Sequence, residues 1–193
     1  MKKRQYKLKR RATQQQETRE RIVDAAIALH EEIGPAATTI SVLAERAGVQ
    51  RLTVYRHFPN EQEILRACSS KWFGLNPPPD VSQIERGKPT ERTRAILLAL
   101  YKYYESTAQM WTSLYRDVGK VDALNEPMVG FEGYLAAAKK ELLAGWANNR
   151  SRRLQATAAH ALGFSTWQSL TEQGLSRTAM ADLVCSWMRA AAA

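Results

Sequence analysis

Cysteine is scarce in this sequence: only Cys68 and Cys185 are present, and they are far apart. Two such residues supply neither a disulfide framework nor the spacing of a zinc site, so we expect both to be small buried apolar side chains. Histidine is almost as rare, with three residues and no pair spaced for metal binding. We therefore predict a protein with no metal and no cofactor.

Long apolar runs are also missing. No stretch reaches the roughly 18 apolar residues of a membrane-spanning helix, and no apolar run follows the charged N-terminus as it does in a secretory signal. We therefore expect a cytoplasmic protein that does not bind membranes. A Gly-rich phosphate loop and the Ser elbow of hydrolases are absent as well, so the sequence argues against an enzyme.

Acidic residues are lacking at the N-terminus. The chain carries a net charge of +9, but residues 1–11 hold seven Lys and Arg and no acid, which leaves +2 for the rest. These basic residues are Lys2, Lys3, Arg4, Lys7, Lys9, Arg10 and Arg11. We expect residues 1–16 to form a flexible basic arm that meets nucleic acid, with Lys9, Arg10 and Arg11 among its DNA contacts; the alternative is a solvated tail.

Period-two alternation, the mark of strands, is absent too. Apolar residues recur instead at helical spacing, first over residues 17–33, and Gly34-Pro35 then ends that helix. We predict an all-α fold of about nine helices. After the first domain, the predicted helices cover residues 90–110, 111–118, 127–147, 152–172 and 176–190.

Three consecutive prolines at residues 77–79 cannot continue a helix, so they mark a domain boundary. We predict a helix-turn-helix domain at residues 17–74, a Pro-rich linker at 75–89 and a larger helical domain at 90–193.

Residues 39–58 have the spacing of a helix-turn-helix. Ala44 is small where the two helices would cross, and Gly48 accepts a left-handed turn without a steric penalty. Val49 and Val54 are apolar where they would fill the gap between the helices. This pattern favours DNA binding, although a plain helical hairpin could reproduce parts of it.

The second helix of this motif would present its N-terminal residues to the major groove. The base-reading candidates are Gln50, Arg51, Leu52 and Thr53, whose amide, guanidinium and methyl groups suit base edges. Tyr55 and His57 suit phosphate oxygens, and Arg56 could reach either target. His57 could instead be a structural histidine, and we expect Phe58 to be core.

Residues 38–65, TTISVLAERAGVQRLTVYRHFPNEQEIL, resemble the DNA-binding signature of the tetracycline-repressor (TetR) family. The resemblance implies a homodimeric regulator, usually a repressor, that binds double-stranded DNA at a palindromic operator, with Thr39 on a phosphate. Two departures stand out: Gln50 replaces a frequent Ser, and Asn60-Glu61 occupies a place that often holds a Lys. The likeness is strong over residues 17–72 and looser beyond.

The resemblance also implies that the larger domain binds a small-molecule effector and forms the dimer. Its many aromatic residues suit a mostly apolar pocket, although any one of them could be core. The effector-binding candidates are Tyr104, Trp111, Tyr115, Phe131 and Tyr134. The dimer-interface candidates are Ala158, Leu162, Trp167, Leu183 and Trp187, for which packing within one chain is the alternative.

The function expected from all this is a ligand-responsive repressor. The effector would lower operator affinity by favouring a different spacing of the two DNA-reading heads. A ligand-responsive activator and a nonspecific nucleoid-type binder are the alternatives.

Overall fold

The structure, a computed structural model, describes the backbone of residues 2–193 and the side chains of Tyr6 and residues 9–193. Over this part of the chain there are nine α-helices and no strand, which confirms the predicted all-α fold. The helices are α1 (Lys2–Glu32), α2 (Ile40–Ala47), α3 (Arg51–His57), α4 (Glu61–Leu75), α5 (Pro89–Asp117), α6 (Asn125–Leu143), α7 (Arg152–Leu162), α8 (Phe164–Glu172) and α9 (Arg177–Ala192). Short 3₁₀ turns occur at Pro35–Ala37, Val81–Gln83 and Asp122–Leu124.

The first helix is longer than the sequence led us to expect. It begins at Lys2, so residues 2–16 are helical, which corrects the expectation of a flexible arm ahead of a helix starting at Glu17. This segment contains neither Gly nor Pro, and its Lys, Arg and Gln residues are good helix formers. Nothing in it therefore ends the helix.

The helices of the C-terminal part also differ from their predicted bounds. The two helices expected over residues 90–118 are one continuous helix, α5. The single helix expected over residues 152–172 is divided into α7 and α8 by Gly163, whose backbone is extended (φ −69°, ψ 139°). One glycine thus ends a helix where periodicity alone predicted continuation.

The chain divides into two compact units. The first consists of Met1–Asn76 together with Thr112–Pro127, and the second of Pro77–Trp111 together with Met128–Ala193. The division after Asn76 lies within the predicted linker, but Thr112–Pro127 joins the first unit, not the predicted second domain. Leu124 supplies the reason, because its fully buried side chain is part of the first unit's core.

The core of the first unit is built from α1 to α4 and the turn that carries Leu124. Its side chains are apolar and almost entirely removed from solvent, as the helical spacing predicts. The least exposed are Ile22, Ala26, Leu43, Val54, Phe58 and Leu124. This core fixes which side of each short helix faces outward.

The core of the second unit is rich in aromatic residues of α5, α6 and α8. Two of them also satisfy the end of α7: the hydroxyl of Tyr101 donates to the carbonyl of Ala161 at 2.8 Å, and that of Tyr104 to the carbonyl of Leu162 at 2.7 Å. The last carbonyls of a helix have no partner within the helix. The two tyrosines therefore pack the core and complete the end of α7.

Cys68 and Cys185 are buried free thiols, as predicted. Burial raises the pKa of the Cys68 thiol to about 12, so this cysteine stays protonated. Among the helices of residues 2–193, none is long and apolar enough to cross a membrane. The described side chains also include no group of three or more His, Cys, Asp or Glu residues that could hold a metal ion.

Candidate nucleic-acid interface

The turn between α2 and α3 is built as the sequence predicted. Thr39 caps α2, because its hydroxyl accepts a hydrogen bond from the Val42 amide at 3.3 Å. Gly48 ends α2 in the left-handed region (φ 64°), a conformation that side chains with a Cβ rarely adopt. The backbone carbonyl of the buried Ala44 accepts a hydrogen bond from the Val49 amide at 2.9 Å, which closes the turn.

α3 has one buried side. Val54 and Phe58 are fully buried, and Val49 packs partly buried against the same core. This confirms that all three are core residues. The exposed residues of this two-turn helix lie away from that core, namely Arg51, Leu52, Tyr55 and Arg56.

The exposed side of α3 carries most of the predicted DNA-reading residues. Leu52 is 57% exposed and Tyr55 is 50% exposed, both unusually high for large side chains with apolar bodies. The other exposed predicted residues are Gln50, Arg51 and Arg56, whereas Thr53 and His57 are half-buried. The structure thus brings all seven onto or directly before one short helix.

Gln50 occupies the N-cap of α3 but does not cap it with its side chain. Its backbone carbonyl accepts the Thr53 amide at 2.8 Å, so the helix starts without help from the amide group. The Ser that is frequent at this position in the family that the motif resembles would cap the helix with its hydroxyl. In this chain the Gln50 side chain is left exposed for another contact.

Arg51 is held by the neighbouring helix. Its guanidinium donates to the hydroxyl of Ser41 on α2 at 3.3 Å, and both side chains are exposed. A single long bond between exposed groups contributes little to stability. Arg51 can therefore exchange this bond for a contact with DNA.

Arg19 is a residue of this region that sequence reasoning missed. Its guanidinium donates to the backbone carbonyl of His57 at 2.8 Å and lies 4.1 Å from the centre of the Phe58 ring. The hydrogen bond satisfies a carbonyl at the end of α3, and the ring contact is a cation–π interaction. Arg19 thus ties α1 to the end of α3, although no local motif links residues so far apart in sequence.

The start of α4 matches its predicted cap. The Asn60 side chain accepts the Glu63 amide at 2.9 Å. Glu61 and Glu63 stand in the first turn, where a negative charge interacts favourably with the helix dipole. The departure at Glu61 thus favours the helix start, where a Lys would favour phosphate.

Lys9, Arg10 and Arg11 are exposed on the N-terminal part of α1. Successive residues of an α-helix point about 100° apart, so three consecutive side chains spread over more than half of its circumference. One DNA surface can therefore meet only part of this basic cluster at a time.

Four of the five predicted effector residues lie together in the second unit. The rings of Trp111 and Phe131 have centroids 4.0 Å apart, Phe131 and Tyr134 stack at 5.6 Å, and Tyr104 meets Phe131 at 6.4 Å. Tyr104 and Trp111 are fully buried. Tyr115 belongs to the first unit and is 38% exposed.

The predicted dimer residues fall into two groups. Ala158, Leu162 and Trp167 are buried within their own chain, so they have almost no surface left to offer a partner, and their assignment to the interface is corrected. Leu183 and Trp187 on α9 are half-buried. Small and apolar side chains signalled burial correctly for the first group, but the covering surface comes from the same chain.

Comparison with known proteins addresses both parts of the chain. Residues 22–68 match the model of the family described as bacterial regulatory proteins, tetR family. The chain is similar to the HTH-type transcriptional repressor KstR of Rhodococcus jostii (strain RHA1), with 36% identity over 89 residues, which cover 43% of this chain and 39% of that protein. The match thus spans about two-fifths of the length of this curated relative.

Solved structures resemble a larger part of the chain. A TetR-like transcriptional regulator from Rhodococcus sp. RHA1 has a TM-score of 0.64 and 17% identity, covering 89% of this chain and 93% of that one. The multidrug binding protein EbrR, complexed with imidazole, has a TM-score of 0.59 and 17% identity, covering 88% and 93%. At such low identity the likeness shows a shared fold.

Proposed function

We propose that this protein, a member of the TetR family through the domain at residues 22–68, is a sequence-specific transcriptional repressor. It binds a palindromic operator in the cytoplasm as a homodimer, and a small, largely apolar effector releases it. One observation carries the proposal: Val54 and Phe58 bury one side of α3, while Arg51 and Tyr55 are exposed on the rest of it.

The residues at the start of α3 have the chemistry that base reading requires. Arg51 can pair with the two acceptors of guanine and Gln50 with adenine, while the methyl groups of Leu52 and Thr53 suit thymine. The residues proposed for phosphates hold the helix in register without reading sequence. They are Thr39, Tyr55, Arg56, His57, Lys9, Arg10 and Arg11.

Dimerisation follows from the geometry of a palindrome. Two copies of α3 enter neighbouring major grooves when the half-sites lie about one helical turn, roughly 34–36 Å, apart. We place Leu183 and Trp187 in the interface, since both sit on α9 and keep part of their apolar surface exposed. A twofold axis through this surface would bring each helix against its own copy.

The aromatic cluster of the second unit is the proposed effector site. Its rings supply the apolar lining that small-molecule sites share, and the name of the similar EbrR describes a multidrug binding protein. Because Tyr104 and Trp111 are fully buried, an effector would have to separate rings that now touch. An effector that binds this altered state would lower the affinity for the operator. Bound operator would lower the affinity for the effector by the same free energy.

Selection from a random-sequence duplex library tests the proposal. A specific regulator enriches one palindromic duplex and keeps binding it at moderate salt in excess random DNA. A nonspecific nucleoid-type binder would enrich nothing, and this result would refute sequence-specific binding.

A promoter-reporter assay then separates repression from activation. With the selected duplex overlapping the promoter, the protein should lower expression, in keeping with the repressor KstR that it resembles in sequence. Increased expression would establish the activator alternative.

A further inference from the structure

Asp117, the last residue of α5, supplies a missing helix cap. The 3₁₀ turn at Pro35–Ala37 follows Gly34, which has no side chain with which to cap it. A carboxylate oxygen of Asp117 accepts the Ala36 amide at 3.2 Å, from a position 81 residues further along the chain. The Asp117 side chain is only 2% exposed, so its carboxylate is largely removed from solvent, although Ala36 itself is exposed.

Two cations surround the Asp117 carboxylate. Arg116 donates to it through two nitrogens, both at 3.0 Å, and Lys120 donates at 3.3 Å. Arg116 also donates to the Ile33 carbonyl at 2.8 Å, just beyond the end of α1. The hydrogen bond from Arg116 is the largest cause that lowers the pKa of Asp117, to about 2, so the carboxylate is ionised at neutral pH.

Gly34 leaves the space that this cluster occupies. Its backbone has φ 88°, and a Cβ added there would overlap the Arg116 guanidinium and the Asp117 carboxylate. Gly34 is thus required both by its left-handed backbone and by the close approach of the two side chains. The side chains at the end of α5 therefore pack directly against the backbone of Gly34.

The capped turn leads directly into the helix-turn-helix. The Pro35 carbonyl accepts the Thr38 amide at 3.0 Å, and the next residue, Thr39, is the N-cap of α2. We propose that Asp117 is a positioning residue for DNA recognition, which fixes the 3₁₀ turn and thereby the direction in which α2 and α3 leave α1. The inference rests on the proposed DNA-binding function, because it assigns the turn a role in operator affinity.

Asp117→Asn tests the inference, with Asp122→Asn as its control. Both variants lose one negative charge from the same segment, but Asp122 is exposed and starts a separate 3₁₀ turn. Two readouts are needed: amide hydrogen exchange of residues 35–47 in the free protein, and binding to both the selected duplex and a random duplex. For each variant, titration with DNA measures the fraction of the protein that is able to bind.

We expect Asp117→Asn to speed exchange at residues 35–47 and to weaken binding to the selected duplex by about tenfold, with a smaller loss on random DNA. Asp122→Asn should behave as wild type in both readouts. A purely stabilising role would instead lower the active fraction and affect both duplexes equally.

Equal exchange in the two variants, or equal losses on the two duplexes, would overturn the inference. If the wild-type protein selects no duplex, the proposed function fails, and hydrogen exchange still decides whether Asp117 fixes the turn. If Asp117→Asn does not fold, Lys120→Gln serves in its place, since it removes one bond from a side chain that is 61% exposed. It should speed exchange at residues 35–47, and unchanged exchange would count against the inference.

Discussion

The two compact units differ in how their proposed functional residues are displayed. In the first, Leu52 and Tyr55 are half or more exposed on a helix whose other side is buried. In the second, Tyr104 and Trp111 are fully buried among other rings. Side chains that contact rigid DNA must be exposed before the DNA binds. Side chains that contact an apolar ligand can stay packed against each other until the ligand separates them.

Phe58→Ala should produce the largest loss of stability. Phe58 is fully buried and is stacked by Arg19, so its removal should lower the free energy of unfolding by about 3–5 kcal/mol. Tyr55→Ala on the exposed side should change it by no more than about 0.5 kcal/mol. Urea unfolding measures both, and equal losses would show that α3 has no buried side.

Trp187→Glu should separate the proposed dimer. A charge placed at this proposed apolar contact should weaken association by about 2 kcal/mol or more, which sedimentation measures as a shift toward the monomer. Thr178→Glu adds the same charge to an exposed position near the start of α9 and should leave the dimer intact. A dimer that survives both changes would exclude Trp187 from the interface.

Lowering the pH should destabilise the first unit through His30. Burial lowers the pKa of His30 from 6.5 to about 4, because it disfavours the charged imidazolium. Between these values the unfolded chain binds the proton more readily, so stability is full above the unfolded pKa and falls as the pH drops toward about 4.

From about pH 7.5 to about pH 5 this loss should be about 2 kcal/mol, measured by urea unfolding at each pH. His30→Gln should remove that part of the pH dependence. An identical pH dependence in the variant and the wild type would contradict the buried, neutral state of His30.

Tyr104→Phe should reveal the core role of a proposed effector residue. It leaves the Leu162 carbonyl without the 2.7 Å bond at the end of α7, which should cost about 1–2 kcal/mol of stability. Thermal unfolding without ligand measures this, and Tyr134→Phe, which removes a 2.9 Å bond to the Pro79 carbonyl at a half-buried position, should cost less. A stability equal to wild type would show that Tyr104 does not support the unliganded core.

Local sequence predicted the helix-turn-helix of the first unit well, because its determinants are local. The left-handed Gly48, the cap at Asn60 and the buried Val54 and Phe58 follow from residue type and spacing over a few positions. Arg19 and Asp117 could not be predicted, since each binds a backbone group 38 or 81 residues away. A side chain that meets a distant backbone group leaves no pattern in sequence.

Composition was a weaker guide in the second unit. Small and apolar residues at Ala158 and Leu162 indicate burial, but only the packed helices show that the same chain buries them. Gly163 divides α7 from α8 although the residues around it keep helical spacing. Aromatic content likewise gave the members of a cluster without showing whether they line a pocket or fill a core.

Parallel selection from one random duplex library, with wild-type protein and with Arg51→Ala, tests directly whether the exposed side of α3 reads DNA sequence. The wild type should enrich a palindrome, and the variant should enrich the same palindrome with preference relaxed at one base of each half-site. Its affinity should fall by about 1–3 kcal/mol. Identical palindromes bound with equal affinity would contradict the assignment of Arg51 as a base-reading residue.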